Sequence, residues 1–446
     1  MTERGTHETT RQWGATSTWT REDAARIERT PETTAPVIYP PDEETDPDLH
    51  IWDTWLLRER DGSFATFDGW RVVLALTAPA EMLPGKRHDS ATIRYFYSKD
   101  GKSWQTGGRV FDPERSLGSR QWAGSAMYDR DAEELYLYYT AAGHADAEEL
   151  SYQQRICVGT GGTIHADESG VDLAGPWDHE VLLTPDGDWY ETQTQAERES
   201  DLIYTFRDPW FFEDPETGET CLLFEANTPI PEDGCGGDDG RRAYNGCIGV
   251  ATSPSGDPTE WEMERPILDG ACVNQELERP HVVVRDGRYY LFTPSHEHTF
   301  APGLDGFDAL YGFVSDSLRG EYEPLNDSGL VVANPHNAPF QAYSWLAYGH
   351  RDELLVTSFF NYYDLGGLHL DDVGHLHPDE QREKFGGTLA PTLRIQLAGE
   401  RTRVLGTLDY GHLPLEDEEL PPVDPLAAER PLGDEADGDT DGNGEY

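Results

Sequence analysis

Three short stretches of the sequence each place a carboxylate beside a tryptophan or an arginine. They read Trp-Asp-Thr-Trp at residues 52–55, Arg-Asp-Pro at 207–209 and Glu-Leu-Glu-Arg-Pro at 276–280. Paired carboxylates most often serve glycosyl transfer or hydrolysis, in which one acts as nucleophile and the other as general acid/base. Because the stretches are far apart in the sequence, they can form one site only in a fold that closes on itself.

The rest of the sequence predicts an all-β scaffold for these stretches. From about Leu49 onward, short runs rich in β-branched and aromatic residues alternate with Gly, Asp and Pro turns, a pattern typical of strands. Long helical stretches are missing, and only residues 17–26 predict the start of one short helix. Each of the three acidic stretches lies where a predicted strand begins.

A weak internal repeat indicates how these strands are arranged. Repeats of an aromatic strand, an acidic glycine turn and a second aromatic strand start near residues 53, 122, 208, 279 and 344. About five such units of four strands predict a five-bladed β-propeller. The first strand of each blade lines the central channel of a propeller, so the three acidic stretches would meet at the mouth of one funnel-shaped active site.

Composition shifts divide the chain into three parts. Residues 1–45 are rich in Thr, Glu and Pro and predict a mostly irregular N-terminal extension. Residues 46–412 carry the strand pattern and predict the catalytic propeller. Residues 413–446 are acidic and rich in Gly and Pro, which indicates a solvating tail.

The charge of the chain limits its partners and its environment. Asp and Glu number 85 against 34 Lys and Arg, a formal net charge of -51. Nucleic acid and anionic membranes are therefore excluded as partners, and we expect a monomer. The acidity is spread over a chain that is also rich in aromatic residues, which indicates a folded protein with an acidic surface from a halophilic, archaeal source.

We predict that this protein loses structure when it is dialysed to low salt. At molar salt the Debye length falls to roughly 3 Å, which screens the repulsion between acidic side chains. Far-ultraviolet circular dichroism before and after dialysis measures the loss, and an unchanged spectrum would count against a halophilic protein.

The cysteines and the N-terminus say little about compartment. The five cysteines include no Cys-x-x-Cys pair, so zinc and thioredoxin-like sites have no support, and small buried hydrophobic side chains are favoured. A Cys235–Cys247 bridge across an acidic loop is the alternative for an exported protein. No signal peptide and no run of about 18 apolar residues is recognisable, which predicts a protein that is cytoplasmic or exported by another route.

Seven ordered segments between about Asp48 and Gly411 resemble glycoside hydrolase family 68, the levansucrases and inulosucrases. The matching segments are 52–55, 121–125 (Gln-Trp-Ala-Gly-Ser), 206–209, 224–228 (Phe-Glu-Ala-Asn-Thr), 276–280, 290–293 and 385–391. The resemblance implies a five-bladed β-propeller. It also implies that Asp53 is the nucleophile, Asp208 the transition-state stabiliser and Glu278 the general acid/base.

The same resemblance implies a set of substrate-binding residues. These are Trp52, Trp122, Ser125, Arg207, Glu225, Glu276, Arg279 and His296. Trp52 and Trp122 would wall the fructosyl pocket, and His296 would face the acceptor as in Gram-negative members. For Glu225, a buried structural acid bonded to Arg207 is favoured over direct catalysis.

Two departures from the family pattern stand out. Ala123 occupies a position at which many levansucrases have a serine that hydrogen-bonds the nucleophile. Gln275 and Leu202 stand where calcium ligands of Gram-positive members are expected, and only Asn245 fits, although Asp201 is adjacent to Leu202. We therefore expect neither a required calcium ion nor any other cofactor, with high salt needed for stability.

The implied chemistry constrains the three acids. An oxocarbenium-like transition state requires Asp53 and Asp208 to be ionised, whereas Glu278 must start protonated, and we expect the two neighbouring carboxylates to raise its pKa. A retaining mechanism predicts about 5–5.5 Å between the nucleophile and the acid/base.

Three functional classes remain open from the sequence. The first is a sucrose-dependent fructosyltransferase that makes inulin-type β-2,1 products, or alternatively β-2,6 levan, with sucrose and fructans as its partners. The second is an invertase-like hydrolase, whose usual Asn-Asp-Pro-Asn and Glu-Cys-Pro contexts are missing here. The third is a non-catalytic sugar-binding propeller, which the retention of all three acids disfavours.

Overall fold

The structure of the protein is a computed structural model that describes residues 15–112, 115–145, 150–199 and 202–423. The start of the predicted N-terminal extension, residues 1–14, and most of the predicted acidic tail, residues 424–446, lie outside the described residues. Asp201, the acidic neighbour of Leu202, also lies outside them.

The N-terminal segment is packed against the body of the protein. Strand β1 (Ser17–Thr18) runs parallel to a strand more than two hundred residues later, and helix α1 (Arg21–Ala24) follows it. A capping box between Thr20 and Asp23 starts this helix. Trp19 is fully buried, with its ring edge against Phe313, so these residues contribute to the core.

Nine of the next eleven strands form one sheet. The strands are β2 (Leu49–Glu59), β3 (Thr66–Phe67), β4 (Trp70–Pro79), β5 (Thr92–Ser98), β6 (Gln105–Arg109), β7 (Arg120–Asp129), β8 (Glu134–Ala142), β9 (Gln154–Thr160), β10 (Thr163–Asp167), β11 (Gly170–Ala174) and β12 (Asp178–Leu183). Strands β2, β4, β5 and β6 are neighbours in an antiparallel order, as are β7, β8, β9 and β12. Parallel pairing of β2 with β7 joins the two groups, and β10 pairs with β11 apart from them.

The remaining strands form three five-stranded sheets, each built on four strands in antiparallel order. The strands are β13 (Phe206–Glu213), β14 (Thr220–Asn227), β15 (Gly246–Ser253), β16 (Glu262–Asp269), β17 (His281–Arg285), β18 (Arg288–Ser295), β19 (Ala309–Ser315), β20 (Glu323–Pro324), β21 (Leu330–Ala333), β22 (Ala342–His350), β23 (Glu353–Tyr362), β24 (Phe385–Leu389), β25 (Pro391–Ala398) and β26 (Arg401–Tyr410). Strand β1 joins the sheet of β13–β16, and the other two sheets contain β17–β21 and β22–β26.

Helices are short and lie in the connections between strands. Besides α1 they are α2 (Gln193–Glu199), α3 (Asp239–Arg242), α4 (Leu370–Val373) and α5 (Pro378–Glu383), with 3-10 turns at Pro84–Ser90, Gly234–Gly237, Glu297–Thr299 and Leu325–Asp327. None of the helices in the described ranges is long and apolar enough to cross a membrane. The protein is therefore mostly β, as the sequence predicted.

Side chains from most of the strands pack into one large hydrophobic core. The inner strands β4, β8, β14 and β23 are buried along nearly their whole length, which explains why their sequences are continuous apolar runs rather than strict alternations. The main apolar cluster extends from Trp19 to Leu413, and a second one lies between β8, β13, β14 and β15. This core holds the first strand of each group rigidly in place.

The disulfide differs from the pairing considered from the sequence. Cys235 is bonded to Cys272, not to Cys247. Cys247 lies fully buried within β15, whereas Cys235 and Cys272 lie in surface turns whose Cα atoms are 5.5 Å apart. Cys157, Cys221 and Cys247 are free and buried, so the expectation of small core side chains is confirmed for these three and wrong for Cys235 and Cys272.

Candidate active site

Bulged backbone at the start of several strands creates the site. Strands β2, β13 and β22 each have a register shift, and the residue in that shift has a positive φ: 48° at Asp53, 57° at Asp208 and 59° at Ser344. Arg279, just before β17, has φ 42°. Bulges change the direction in which side chains point. Residues other than glycine rarely adopt this left-handed backbone conformation without support from their surroundings. The sequence predicted strand starts here but no special backbone.

Arg207 is the buried centre of the acidic cluster. Its Nε lies 2.7 Å from a carboxylate oxygen of Glu225, and its Nη2 lies 2.9 Å from Glu278 and 3.4 Å from Glu276. Nε is also 3.9 Å from Asp208. Burial lowers the pKa of Arg207, but these four carboxylates together raise it well above its ordinary value. The predicted interaction of Glu225 with Arg207 is confirmed.

Two hydrogen bonds hold Asp208, one made by its backbone N–H and one by its carboxylate. Its N–H donates to the hydroxyl of Thr140 at 2.9 Å, and its carboxylate accepts from the N–H of Arg279 at 3.2 Å. Burial raises the pKa of Asp208 to about 7, and the nearby charges of Glu278 and Asp53 add to the rise that Arg207 opposes. The protonation of Asp208 therefore depends on the charges of the neighbouring carboxylates of Glu278 and Asp53.

Asp53 accepts a hydrogen bond from Ser344, a residue that the sequence analysis did not single out. Burial raises the pKa of Asp53, while the charge of Arg279 and the Ser344 hydroxyl lower it. Arg279 also donates to the carbonyl and hydroxyl of Ser344 and to the carbonyl of Thr54. Ser344 therefore supplies the hydroxyl that Ala123 cannot give to Asp53. The repeat start near residue 344 was the sequence signal that could have identified Ser344.

We predict that Ser344→Gly lowers kcat/KM for sucrose about 10-fold or more, because hydrogen bonds to charged groups contribute roughly 1.5–3 kcal/mol. Glycine fits the positive φ and removes the hydroxyl together with its Cβ. The pKa of Asp53 should rise, so at least one limb of the kcat/KM profile, which the coupled carboxylates set together, should move to higher pH. The matched control is Ser125→Ala, which should lower stability but leave both limbs unchanged. Unshifted limbs in Ser344→Gly would contradict the assignment.

Glu278 has the opposite pKa shift from the one expected. Burial raises its pKa, but Arg207, His296, the Tyr343 hydroxyl and Arg279 act in the other direction and leave it lowered. The Tyr343 hydroxyl donates to Oε2 of Glu278. The expectation that neighbouring carboxylates dominate the pKa of Glu278 is therefore wrong, because the cationic and hydrogen-bonding groups around this side chain have the larger effect.

His296 lies against this acid. Its ring stacks on that of Tyr343 with centroids 3.6 Å apart, and its Nδ1 lies 3.1 Å from a carboxylate oxygen of Asp308. Burial lowers the pKa of His296, but the charge and hydrogen bond of Asp308, helped by Glu278 and Glu276, raise it to about 9. The imidazole is therefore a cation at neutral pH.

The raised pKa of His296 predicts a pH-dependent contribution to stability. A shift from 6.5 to about 9 corresponds to about 3 kcal/mol, fully present below pH 6.5 and lost as the pH rises through 9. The difference in unfolding free energy between wild type and His296→Gln, from denaturant titrations at constant salt, should shrink over this window. The control variant Ser125→Ala removes no titratable group and should show no such trend. A difference that is constant with pH would contradict the prediction.

A group of aromatic and basic side chains packs around His88, close to Asp53. The ring of Trp52 meets that of His88 at 5.4 Å, and His88 meets Trp122 at 6.4 Å. Arg87 lies over Trp52 at 5.5 Å. Desolvation and the charge of Arg87 lower the pKa of His88 well below its usual value, so its ring is neutral. Arg87 and His88 belong to the 3-10 turn Pro84–Ser90, which no sequence motif revealed.

The structure brings most of the predicted residues together, but not Ser125. Asp53, Asp208, Glu278, Arg207, Glu225, Glu276, Arg279 and His296 form one connected cluster. The hydroxyl of Ser125 instead accepts from the N–H of Phe211 at 2.9 Å and holds β7 against β13. None of its described contacts is with a carboxylate of the cluster, so its contacts are those of a structural residue.

The positions compared with calcium ligands line a small separate cavity. Leu202, Asn245 and Gln275 lie there beside Glu191. The amide nitrogen of Asn245 donates to Glu191 at 2.9 Å, and that of Gln275 donates to the carbonyl of Ile203. Within the described ranges, no group of three or more His, Cys, Asp or Glu side chains is arranged to hold a metal ion.

Comparison with known proteins identifies the class of enzyme. The family model described as levansucrase/invertase matches residues 9–414. The chain therefore belongs to glycoside hydrolase family 68 and is an enzyme of the levansucrase and inulosucrase group of fructosyltransferases. The resemblance seen in the sequence is confirmed.

Individual relatives cover nearly the whole chain. A levansucrase from Rahnella aquatilis is 36% identical over 89% of this chain and 96% of its own length, and an extracellular sucrase from Zymomonas mobilis is 36% identical over 89% and 95%. Among solved structures, an inulosucrase from Halalkalicoccus jeotgali bound to kestose is 64% identical, with a TM-score of 0.90, and covers 92% of this chain and 100% of that one. This haloarchaeal relative supports the halophilic, archaeal character inferred from the charge.

Proposed function

We propose that this enzyme is a sucrose-dependent fructosyltransferase that makes inulin-type β-2,1 products and hydrolyses sucrose as a side reaction. The observation that carries the proposal is the buried cluster in which Arg207 contacts Glu278, Glu225, Glu276 and Asp208. The inulin type is supported by the 64% identity to the Halalkalicoccus jeotgali inulosucrase.

The proposed fold is a closed five-bladed β-propeller. Its support is the succession of five antiparallel four-strand groups, which begin at β2, β7, β13, β17 and β22. Contacts of β2 with β7, β7 with β13, β17 with β22 and β22 with β2 fit first strands that surround one channel. We assign residues 46–412 to this catalytic domain, with residues 1–45 as an extension and 413–446 as a tail.

The proposed reaction is a double displacement with retention. Asp53 attacks C2 of the fructosyl unit while Glu278 gives its proton to the departing glucose oxygen, and a fructosyl-enzyme ester forms on Asp53. Asp208 stabilises the oxocarbenium-like charge at C2. Glu278, now a carboxylate, then takes the proton of an acceptor hydroxyl, or of water, as that oxygen attacks C2 and frees Asp53.

The pKa directions of the two acids oppose the protonation state that the first step requires. The pKa of Asp53 is raised and that of Glu278 is lowered, yet the first step needs Asp53 ionised and Glu278 protonated. The lowered pKa leaves Glu278 mostly ionised at neutral pH, so the productive form is a minority of the enzyme there. The profile of kcat/KM against pH should be bell-shaped, with both limbs belonging to the coupled carboxylate group rather than to one residue.

The surrounding residues have distinct proposed roles. Arg207 and Glu276 bind sugar hydroxyls beside the bond that is cleaved, and Trp52 and Trp122 enclose the fructosyl ring. His296, a cation stacked on Tyr343, orients the acceptor. Arg279 holds Asp208 and Ser344 in place, and Glu225 fixes Arg207 from the side away from substrate.

Two other activities have support of their own. Levan synthesis with β-2,6 linkage is favoured by the 36% identity to the Rahnella aquatilis levansucrase. Hydrolysis alone is favoured by a 28% identical Microbacterium saccharophilum β-fructofuranosidase catalytic domain with a TM-score of 0.77.

Incubation with sucrose at high salt tests all three activities. Free glucose in excess of free fructose means transfer, equal amounts mean hydrolysis, and the absence of both would overturn the proposal. Carbon NMR of the purified products then distinguishes β-2,1 from β-2,6 linkages, and a β-2,6 product would replace the inulin-type assignment by levan synthesis.

We also propose that the enzyme acts outside the cell. The Zymomonas mobilis relative is named an extracellular sucrase, and disulfides such as Cys235–Cys272 persist mainly in oxidising compartments. Sucrose cleavage in the culture medium and in washed cells of the source organism measures this directly, and activity confined to the cells would overturn it.

A further inference from the structure

A cavity of about 350 Å³ lies at the opposite end of the strands that carry the catalytic cluster. Its walls come from the later residues of β2, β13, β17 and β22 and from the turn after β2, whereas Asp53, Asp208 and Ser344 lie near the starts of their strands. Arg58, in the cavity wall, follows Asp53 by five residues in β2, which is roughly 16 Å in an extended strand. The cavity is therefore separate from the catalytic cluster.

Arg58 is a buried cation without an acidic partner in the described part of the chain. It is 7% exposed, and its guanidinium carbon lies 3.7 Å from the ring centre of Trp210. Nη2 donates to the carbonyl of Phe211 at 2.8 Å, but Nε and Nη1 have no hydrogen-bond partner among the described residues. Nη1 lies 3.8 Å from the position that a Cβ would take on Gly62, which also lines the cavity. A buried charge of this kind is unfavourable unless something pairs with it.

The second arginine in the cavity wall is compensated. Nε of Arg60 lies 2.5 Å from Glu213, and its Nη1 lies 3.3 Å from Asp129. These carboxylates raise the pKa of Arg60 against the effect of burial. Burial lowers the pKa of Arg58 to about 10, and no carboxylate of the described residues opposes this shift. The unpaired positive charge at the cavity is therefore that of Arg58.

Tyr348 brings a further unused hydrogen-bond donor to the cavity. Its hydroxyl oxygen accepts from the N–H of Leu56 at 3.2 Å, and its own O–H has no acceptor among the described residues. Phe64 meets its ring edge-on, with centroids 5.4 Å apart. Tyr348 and Arg58 are close enough for each to change the pKa of the other. A ligand that lies between them can accept hydrogen bonds from both.

The remaining walls limit the ligand to a small anion with a single charge. Most of the other lining side chains are apolar: Phe64, Trp210, Phe211, Phe212, Val282, Val283, Val284 and Ala347. Asp61 and Glu213 also line the cavity and would repel a second negative charge. At ~30 Å³ for each water molecule, the cavity has room for a small ion and several waters. The net charge of -51 hardly opposes such an ion at molar salt, where the Debye length is roughly 3 Å.

We propose that this cavity binds a chloride ion against Nη1 of Arg58 and the hydroxyl of Tyr348. The ion stabilises the folded protein, because only the fold holds these two donors together. Weak binding is sufficient in a halophilic protein, since a site with a Kd of about 0.1 M is about 95% occupied at 2 M chloride. Part of the salt requirement of this protein is then specific for the anion.

Exchange of the anion at constant salt tests this proposal. Urea, which adds no ions, unfolds the protein in 2 M potassium salt in which chloride replaces fluoride, a halide whose stronger hydration disfavours a mainly apolar cavity. Arg58→Met keeps an unbranched side chain over Trp210 and removes the charge. As chloride replaces fluoride, the unfolding equilibrium constant of wild type relative to Arg58→Met should fall at least ~5-fold along a saturation curve. General effects of the two anions on the surface are common to both proteins and cancel.

Two further variants complete the comparison. Tyr348→Phe removes only the hydroxyl and should show the same trend with a smaller factor. The acceptor that Leu56 loses in this variant costs stability equally in both anions. The control Arg130→Gln also removes one positive charge, but that of an exposed arginine paired with Glu59, and its ratio to wild type should not change with the anion. If Arg58→Met does not fold, Tyr348→Phe decides the question.

Diffraction then locates the ion. Crystals of the wild-type protein grown in sodium bromide should show an anomalous peak within hydrogen-bond distance of Nη1 of Arg58 and of the Tyr348 hydroxyl. The peak should remain in Arg130→Gln and disappear in Arg58→Met. Bromide is the heavier halide of the same charge and gives a signal that chloride and water do not.

The possible results are distinct. Variant ratios that do not depend on the anion would overturn the proposal, and so would the absence of the bromide peak. A peak without anion-dependent stability would mean an adventitious ion only and would overturn it as well. An equal anion dependence in Arg130→Gln would show general charge screening instead of a site. None of these measurements uses sucrose turnover, so their outcome is independent of the proposed function.

Discussion

Asp53→Asn should lower kcat for sucrose cleavage by at least about 10³-fold, because a nucleophile that forms a covalent intermediate has no substitute in the site. Asparagine is preferred to alanine here because Asp53 has φ 48°, a left-handed conformation that asparagine adopts readily. The change removes one negative charge and little volume. Initial rates of glucose release at saturating sucrose, measured at high salt, give the effect.

Removing the charge of Asp53 should also change the pKa of Asp208. Asp53 raises the pKa of Asp208, so in Asp53→Asn that pKa should fall from about 7. Asp208→Asn and Glu278→Gln are the parallel variants and should each cost orders of magnitude in turnover with an unchanged circular-dichroism spectrum. Turnover near the wild-type rate in any one of the three would remove that residue from its proposed role.

The second large effect is on stability. Arg207→Met should lower the free energy of unfolding by about 3–5 kcal/mol, because it leaves buried carboxylates without their cation. Glu225 is fully buried beside the guanidinium, and Glu276, Glu278 and Asp208 lose part of their compensation as well. Denaturant unfolding at constant high salt measures the change, and sucrose cleavage should also be lost.

A double variant distinguishes charge imbalance from lost packing. Arg207→Met combined with Glu225→Gln removes both partners of the closest ion pair, so it should be more stable than Arg207→Met alone. Glu213→Gln, which breaks the half-exposed pair with Arg60, is the matched control and should cost less than about 1 kcal/mol. Equal stability of the single and double variants would show that packing, not the buried charge of Glu225, causes the loss.

The stability and the activity of the site are coupled through these charges. Four carboxylates, those of Asp208, Glu225, Glu276 and Glu278, surround Arg207, and the charge of Asp53 acts on Asp208. Further positive charge comes from Arg279, Arg87 and protonated His296. Removing any one member changes the protonation of the others. Single-variant effects should therefore not add, and pH–rate limbs should move in variants that leave the three acids in place.

The sequence by itself determined the class of the protein and predicted the three acids that the structure brings into one cluster. Short aromatic and β-branched runs between acidic turns predicted a mostly β fold, because such runs bounded by Gly, Asp and Pro are typical of strands. The ordered segments around Asp53, Asp208 and Glu278 identified the family, since the reaction requires those groups within fixed local contexts. The large acidic excess likewise follows from composition alone.

Only the tertiary structure decided how these groups are supported and charged. Ser344 hydrogen-bonds Asp53 from a distant strand, Cys235 is bonded to Cys272 rather than Cys247, and Ser125 holds two strands together. The lowered pKa of Glu278 likewise depends on the number of cations near it, not on the two acids that its motif predicted as neighbours. The physical reason is that hydrogen bonds and Coulomb interactions act over a few ångströms, and such distances between remote residues are set by packing.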